Sequence, residues 1–195
     1  MPRVDVISRK RVLDDFFKVD EAHLRFERYD GSMSEVVRRL SFERGDSVAA
    51  LLVSAASGAV YLAEQFMYPT LEKGGGFLET VVAGMIDAGE TPEQAVRREI
   101  LEESGFVADT VEPIATFFVS PGGSSERIFL FCAVVSDVAR KSPGGGVASE
   151  DEDIKVVELA LDEFLARLNS GQLTDAKTII AGYWLKDNVA RIMRG

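Results

Sequence analysis

The amino-acid sequence predicts an α/β (α+β) fold: an α/β/α sandwich around a mixed central sheet, preceded by an amino-terminal antiparallel β element. Three observations predict it. Residues 4–44 alternate in part at the period of a strand, apolar runs of strand length recur between Ser47 and Leu159, and helical patterns interrupt and then close that series.

In the amino-terminal element, DVISRKRVLDD and HLRFERYDGSMSEVVRRLSFERG alternate around an Asp30-Gly31 turn, as short strands with polar connections do. Residues 47–53 and 60–65 carry buried-strand patterns parted by Ser57-Gly58. The loop through Pro69 and Gly74-Gly75-Gly76 lacks a following Gly-Lys-Ser/Thr, so it reads as a flexible connection and not as a phosphate-binding loop. Residues 77–82 read as one strand delivering the chain to Gly84. A helix then starts at Thr91: the threonine caps it, Pro92 suits its first position, Gln94 completes a capping box and Gly105 is placed to end it. Residues 111–119 and 128–135 are apolar enough for central strands, joined through Ser120-Pro121-Gly122-Gly123. A second glycine loop, Pro143-Gly144-Gly145-Gly146, runs into Glu150-Asp151-Glu152-Asp153, and residues 154–159 give another strand. Helices over 161–170 and 175 to about 193 close the chain, and no internal repeat is present.

Composition narrows the chemistry. A chain of 195 residues, 46% hydrophobic, can bury one substantial core. The formal charge of −10 argues against a nucleic-acid partner and against an anionic membrane surface. No apolar run approaches a membrane span and the amino terminus has no stretch like a signal peptide, so a soluble cytoplasmic protein is expected. Cys132 is the single cysteine, in the apolar setting IFLFCAVV, and His23 is the single histidine, expected to be structural. A histidine-based triad or a histidine-rich zinc site lacks its raw material, which leaves carboxylate chemistry.

Glu99, Glu102 and Glu103 stand at i, i+3 and i+4, within about 100° of one another on an α-helix. Such spacing by itself fits a solvated helix face. A site for a hard cation is the alternative, because Mg²⁺ binds through few carboxylates, several waters and the phosphates of a substrate. The other side of the helix offers Val96, Ile100 and Leu101 for packing, with small Ala95 expected among the carboxylates.

The whole segment GMIDAGETPEQAVRREILEESGF resembles the signature of the Nudix hydrolases. Gly84, Glu90, Arg98, Glu99, Ile100, Glu102, Glu103, Gly105 and Phe106 fill every specified position. Further along, the chain is similar to the nucleoside-diphosphate-sugar pyrophosphatase branch, which includes ADP-ribose and GDP-mannose hydrolases. The similarity rests on Glu79-Thr80-Val81-Val82-Ala83-Gly84, on Ser120-Pro121-Gly122-Gly123 with Ser125-Glu126, and on the triple glycine leading into EDEDI. Pro121 holds the place of a proline associated with ADP-ribose hydrolases, whereas the triple glycine is closer to the GDP-mannose type. The chain departs from the pattern at Met67, where an arginine usually follows Glu64-Gln65-Phe66, and so loses a cation expected near the diphosphate or the terminal sugar.

The resemblance implies a Mg²⁺-dependent pyrophosphatase, with Mn²⁺ as a substitute, that splits a nucleoside diphosphate sugar into a nucleoside monophosphate and a sugar phosphate. It implies metal ligation by Glu99, Glu102, Glu103 and the backbone carbonyl of Ala83. Arg98 and Glu90 would buttress the loop against the helix, while Gly84 and Gly105 serve geometry. Glu150 comes first and Glu152 second as the base that activates water, and Glu126 would orient substrate or base. Glycines 144–146 would let their loop close over substrate. Phe16 or Phe17 would stack on the nucleobase, with Arg39, Glu79 and Pro121 as further substrate contacts. The same resemblance implies a homodimer, in which residues 1–44 serve dimerisation and substrate contacts and residues 45–195 form the hydrolase domain. A nucleotide-binding sensor without turnover, or a hydrolase of other nucleoside diphosphate derivatives, is the competing reading.

Overall fold

The computed structural model describes residues 2–136, 138, 140–147, 149 and 151–193, in two compact units: Met1–Asp46 with Phe117–Arg127, and Ser47–Thr116 with Ile128–Gly195.

In the first unit β1 (Val4–Asp14), β2 (Lys18–Phe26) and β3 (Val37–Glu43) form an antiparallel sheet in that order. Charge holds its register. Asp20 and Glu21 are neighbours on the central strand, point to opposite faces and are both buried. Asp20 pairs with Arg9 and Arg11 at 2.6 and 2.8 Å, and Glu21 with Arg38 and Lys10 at 2.5 and 3.0 Å. A slip of one residue would carry each acid to the face without its cations. The hydrogen bond from Arg11, aided by that from Arg9, holds the Asp20 carboxyl down at about 2. This unit has as many Lys and Arg as Asp and Glu, so the formal charge of −10 belongs to the other unit.

The sequence expects residues 1–44 to stand as an element by themselves, but residues 117–127 join them. The Phe42 N–H donates to the Gly123 carbonyl at 2.8 Å, the Ser125 N–H donates to the Phe42 carbonyl at 3.2 Å, and Arg127 pairs with Asp46 at 2.5 Å. Backbone pairing of this kind leaves no side-chain pattern, which is why the segment reads from sequence as a plain connection.

The second unit is built on a seven-stranded mixed sheet of order β10-β5-β4-β9-β8, with β6 beside β5 and β7 beside β4. Its strands are β4 (Ser47–Ser54), β5 (Ala59–Phe66), β6 (Phe77–Thr80), β7 (Val82–Met85), β8 (Ala108–Phe118), β9 (Arg127–Val135) and β10 (Lys155–Ala160). β4 runs parallel to β9 and antiparallel to β5 and β7. All eight residues of β4 are buried, as expected for a central strand apolar on both faces. The helices are α1 (Leu71–Gly74), α2 (Pro92–Glu99), α3 (Leu161–Ser170) and α4 (Ala176–Ile192). Val48, Ala50 and Leu52 pack with Tyr61, Val82 and the Ala95, Val96, Ile100 side of α2. Ala49, Leu51 and Val53 point to the opposite face, where α4 lies on β4 and α3 lies on α4. Helices thus cover both faces of the sheet. Among the described residues no helix is long and apolar enough to cross a membrane.

One expected strand is two. Residues 77–82 break at Val81, where the chain leaves β5 for β4 and the Val81 N–H donates to Thr178 Oγ1 of α4 at 2.9 Å. The transfer sets Ala83 opposite Ala49 and Gly84 opposite Val48, on the central strand of the sheet.

Candidate active site

The signature segment begins as its sequence demands. The Thr91 side chain accepts from the Gln94 N–H at 3.3 Å while Gln94 Oε1 accepts from the Thr91 N–H at 2.9 Å, a complete capping box. The helix does not run on unchanged to Gly105. After Glu99 the backbone opens into a π turn over Ile100–Ser104, ended by Gly105 at φ 74. The Ser104 hydroxyl bonds back to the Ile100 carbonyl at 2.5 Å, one local cause of the wider turn. Two sequence expectations are corrected here. Leu101 is exposed and not packed, and Ala95 lies wholly in the core with Val96 and Ile100 instead of among the carboxylates.

Arg98 organises the acids. Its Nε and Nη2 donate to the two oxygens of Glu90 at 3.0 and 2.9 Å, Nη1 to Glu99 at 2.7 Å and Glu102 at 3.0 Å, and Nη2 also to the Met85 carbonyl at 3.0 Å. One planar guanidinium therefore ties the loop after β7 to the helix. The hydrogen bond from Arg98 holds the Glu90 carboxyl below its ordinary range, and that to Glu90 raises Arg98 further still.

Glu103 is different. It is 2% exposed, and its Oε2 has no hydrogen-bond partner among the described residues. Burial pushes its carboxyl well above the ordinary value; the charges of Glu99 and Glu152 add to this, against the Ala83 N–H and the charge of Lys177. Burial also raises Glu99, opposed by Arg98 and reinforced by Glu102 and Glu152. Gly84 completes the arrangement, because a Cβ built there would overlap the Glu99 carboxylate. Among the described residues no three carboxylates already converge as a metal cage. Glu99 and Glu102 are turned to Arg98 instead.

Glu150 lies outside the described residues. Glu152 is within reach of the cluster: its charge acts on both Glu99 and Glu103, and its Oε2 accepts from the Val147 N–H at 2.9 Å. Gly145 and Gly146 before it are hydrogen-bonded to the end of the signature helix. Lys177 is the residue that sequence reasoning missed. It sits in the first turn of α4 beside the Asp175 cap, 2.6 Å from that carboxylate. A cation there opposes the helix dipole. That mismatch, in the run DAKT, is a signal that could have flagged it.

The other expected substrate contacts are distributed. Glu79, on β6, is paired with Arg167 of α3 at 2.9 Å. Phe16, Phe17, Arg39, Pro121 and Glu126 belong to the first unit. Phe16 is 86% exposed; its ring meets Phe17, which packs in turn on Phe42. Arg39 donates to the Arg38 carbonyl at 3.0 Å, and the Glu126 N–H donates to Ser124 Oγ at 3.2 Å.

The NUDIX domain matches residues 43–179, a span that contains this entire cluster. The chain belongs to the Nudix family. It is 36% identical over 179 residues to a GDP-mannose pyrophosphatase of Pectobacterium atrosepticum, covering 91% of each chain. It is 35% identical over 186 residues to an ADP-ribose pyrophosphatase of Escherichia coli (strain K12), covering 94% of this chain and 88% of that one. A crystal structure of an ADP compounds hydrolase superposes with a TM-score of 0.70 over 95% of this chain and 96% of that one, at 19% identity, a likeness of fold. Within this Nudix domain the signature acids stand where β7, α2 and the π turn meet, with Arg98 as the common partner of Glu90, Glu99 and Glu102.

Proposed function

We propose that this Nudix hydrolase cleaves the phosphoanhydride bond of a nucleoside diphosphate sugar, of the ADP-ribose or GDP-mannose type, to a nucleoside monophosphate and a sugar phosphate. The observation that carries the reading is the buried Oε2 of Glu103, without a partner among the described residues, beside Glu99 and Glu152, where Gly84 by lacking a Cβ leaves room for the Glu99 carboxylate. Acids crowded in this way call for a cation. An oxygen-only donor set suits Mg²⁺, with Mn²⁺ as substitute: Glu99, Glu102, Glu103 and the Ala83 carbonyl would hold it. When bound, the ion supplies charge neutralisation at the diphosphate and a polarised water.

The chain's own residues do the rest. Arg98 holds Glu99 and Glu102 in fixed orientations and keeps the Glu90 loop closed on the helix. Glu150 first and Glu152 second are the carboxylates proposed to take the proton of the attacking water; the charge of Glu152 on Glu99 and Glu103 supports the second. Lys177 offers positive charge at the same place. Phe16 offers an exposed ring for a nucleobase, and Phe17, Arg39, Glu79 and Pro121 are the other substrate contacts that the family resemblance implies, with Glu126 to orient substrate or base. The whole length of β1 is exposed, with Val4, Val6, Ile7, Val12 and Leu13 among its residues, which favours a homodimer formed through residues 1–44. The hydrolase domain would then be residues 45–195, working in the cytoplasm.

The test is release of nucleoside monophosphate from a panel of nucleoside diphosphate sugars with Mg²⁺, with Mn²⁺ and with chelator. Metal-dependent release from ADP-ribose or GDP-mannose is expected. Binding without metal-dependent product would favour the sensor reading instead.

A further inference from the structure

The three glycines ahead of the acidic stretch bring backbone, not side chains, to the end of the signature helix. The Gly145 N–H donates to the Glu103 carbonyl at 2.9 Å and the Gly146 N–H to the Glu102 carbonyl at 3.2 Å. Arg140 Nε reaches the Ser104 carbonyl at 3.1 Å, and the Lys141 N–H reaches that of Gly105 at 2.8 Å. A helix end leaves its last carbonyls without intrahelical partners, and here a distant loop supplies them. Such an approach needs residues without a Cβ: one on Gly144 would overlap the Glu103 carbonyl oxygen and lie 2.8 Å from Ser104 Cα. Glycines 144, 145 and 146 have φ of 75, 119 and 83, where other residues are strained.

The same turn governs Glu152. A Cβ on Gly146 would stand 2.6 Å from the Glu152 Cβ, so the glycine is what lets this side chain fold back onto the Val147 N–H. The Ile154 N–H closes the loop on the Gly145 carbonyl at 3.1 Å. Arg140 braces the assembly from outside: its Nη2 donates to the Pro143 carbonyl at 2.6 Å, and its guanidinium lies over the Phe106 ring at 5.0 Å.

We propose that this dock is a positioning device: glycines 144–146, held by Arg140, fix the Glu152 carboxylate in register with the acids of the signature helix. It rests on the hydrolase reading above and adds to it residues that act through Glu152.

The test compares Gly144→Ala, Arg140→Ala and Arg140→Lys with Gly171→Ala, the control in which a similar φ of 74 falls at the end of α3 with open space around it. Hydrogen exchange of the 145–147 amides is followed in metal-free protein, and kcat and KM are measured on the nucleoside diphosphate sugar that wild type turns over best. Gly144→Ala and Arg140→Ala should lose amide protection at 145–147 and about 100-fold in kcat, with KM changed only a few-fold. Arg140→Lys should recover part of both, and Gly171→Ala should keep both. Adding Gly144→Ala to Glu152→Gln should cost little beyond Glu152→Gln alone, because both act at one carboxylate. Wild-type kcat in folded Gly144→Ala and Arg140→Ala, or losses that multiply in the double variant, would overturn the proposal. If Gly144→Ala does not fold, the two Arg140 variants decide. If wild type turns over no nucleoside diphosphate sugar, the hydrolase reading fails; the exchange measurement then still judges the dock, and unchanged protection in Arg140→Ala rejects it.

Discussion

Replacing Glu103 by Gln should stabilise the metal-free protein while removing its activity. The wild-type carboxylate is 2% exposed, has one oxygen without a partner among the described residues and feels the charges of Glu99 and Glu152. Gln keeps the shape, drops the charge and offers an N–H₂ that can donate towards those carboxylates. Leaving a buried polar group unpaired costs about 1–3 kcal/mol. Relief of roughly 2 kcal/mol in a chain of this size corresponds to a rise in Tm on the order of 4–8 °C. On the proposed reading wild type should recover that loss by binding Mg²⁺, which at a hundredfold excess over Kd would contribute about 2.7 kcal/mol that the variant forgoes. The two proteins should therefore exchange order: Glu103→Gln melts higher in chelator, wild type higher in saturating Mg²⁺. Thermal melts in both conditions, beside nucleoside monophosphate release, make the measurement, and turnover of the variant should fall by at least about 100-fold. A variant that melts below wild type in chelator would refute the claim that this carboxylate is buried at a cost. Equal stabilisation of both proteins by Mg²⁺ would remove Glu103 from the ligand set.

Three further outcomes follow from the same geometry. In Gly84→Ala the added methyl meets only the far end of the flexible Glu99 side chain, so Tm should drop by no more than about 3 °C while kcat falls about 100-fold; unchanged kcat would mean that the place of Glu99 does not matter. Arg98→Lys keeps the charge but cannot reproduce the fork to Glu90, Glu99 and Glu102, and should cost roughly 2 kcal/mol, on the order of 5 °C in a melt; an unshifted Tm would deny Arg98 its bracing role. Asp20 is held at about 2 in the folded sheet against about 3.9 unfolded, so the stability it lends is present above about pH 4 and fades as pH falls towards 2. Melts of Asp20→Asn and wild type should accordingly converge over that window, and curves that stay parallel would show the carboxyl to be unperturbed.

Much of the architecture is legible in the chain because it is local. The strand patterns at 47–53 and 60–65, the capping box at Thr91 and the closing helices each declare themselves within a dozen or so residues, and each stands within a few residues of its expected ends. The acid spacing at Glu99, Glu102 and Glu103 is equally plain. What the spacing could not say is that the helix widens after Glu99, exposing Leu101 and leaving one oxygen of Glu103 buried without a partner. Those facts depend on Ser104 bonding back to Ile100 and on a loop some forty residues further along the chain that caps the same turn. Glycines 144–146 suggest freedom when read as letters, because glycine in isolation is permissive. Packed against carbonyls of Glu102 and Glu103 they are the opposite, a place where backbone can come close because nothing else is in the way.

The sequence by itself determined the order of strands and helices, the capped start of the signature helix and the presence of its acids. Periodicity and capping are short-range physics, written in neighbouring residues. Only the tertiary structure decided which acid is buried, which arginine braces the others, that Lys177 comes to the cluster from the last helix, and that residues 117–127 fold with the amino-terminal strands. Burial and long-range backbone hydrogen bonds join positions far apart in the chain, and no local pattern carries the identity of the partner.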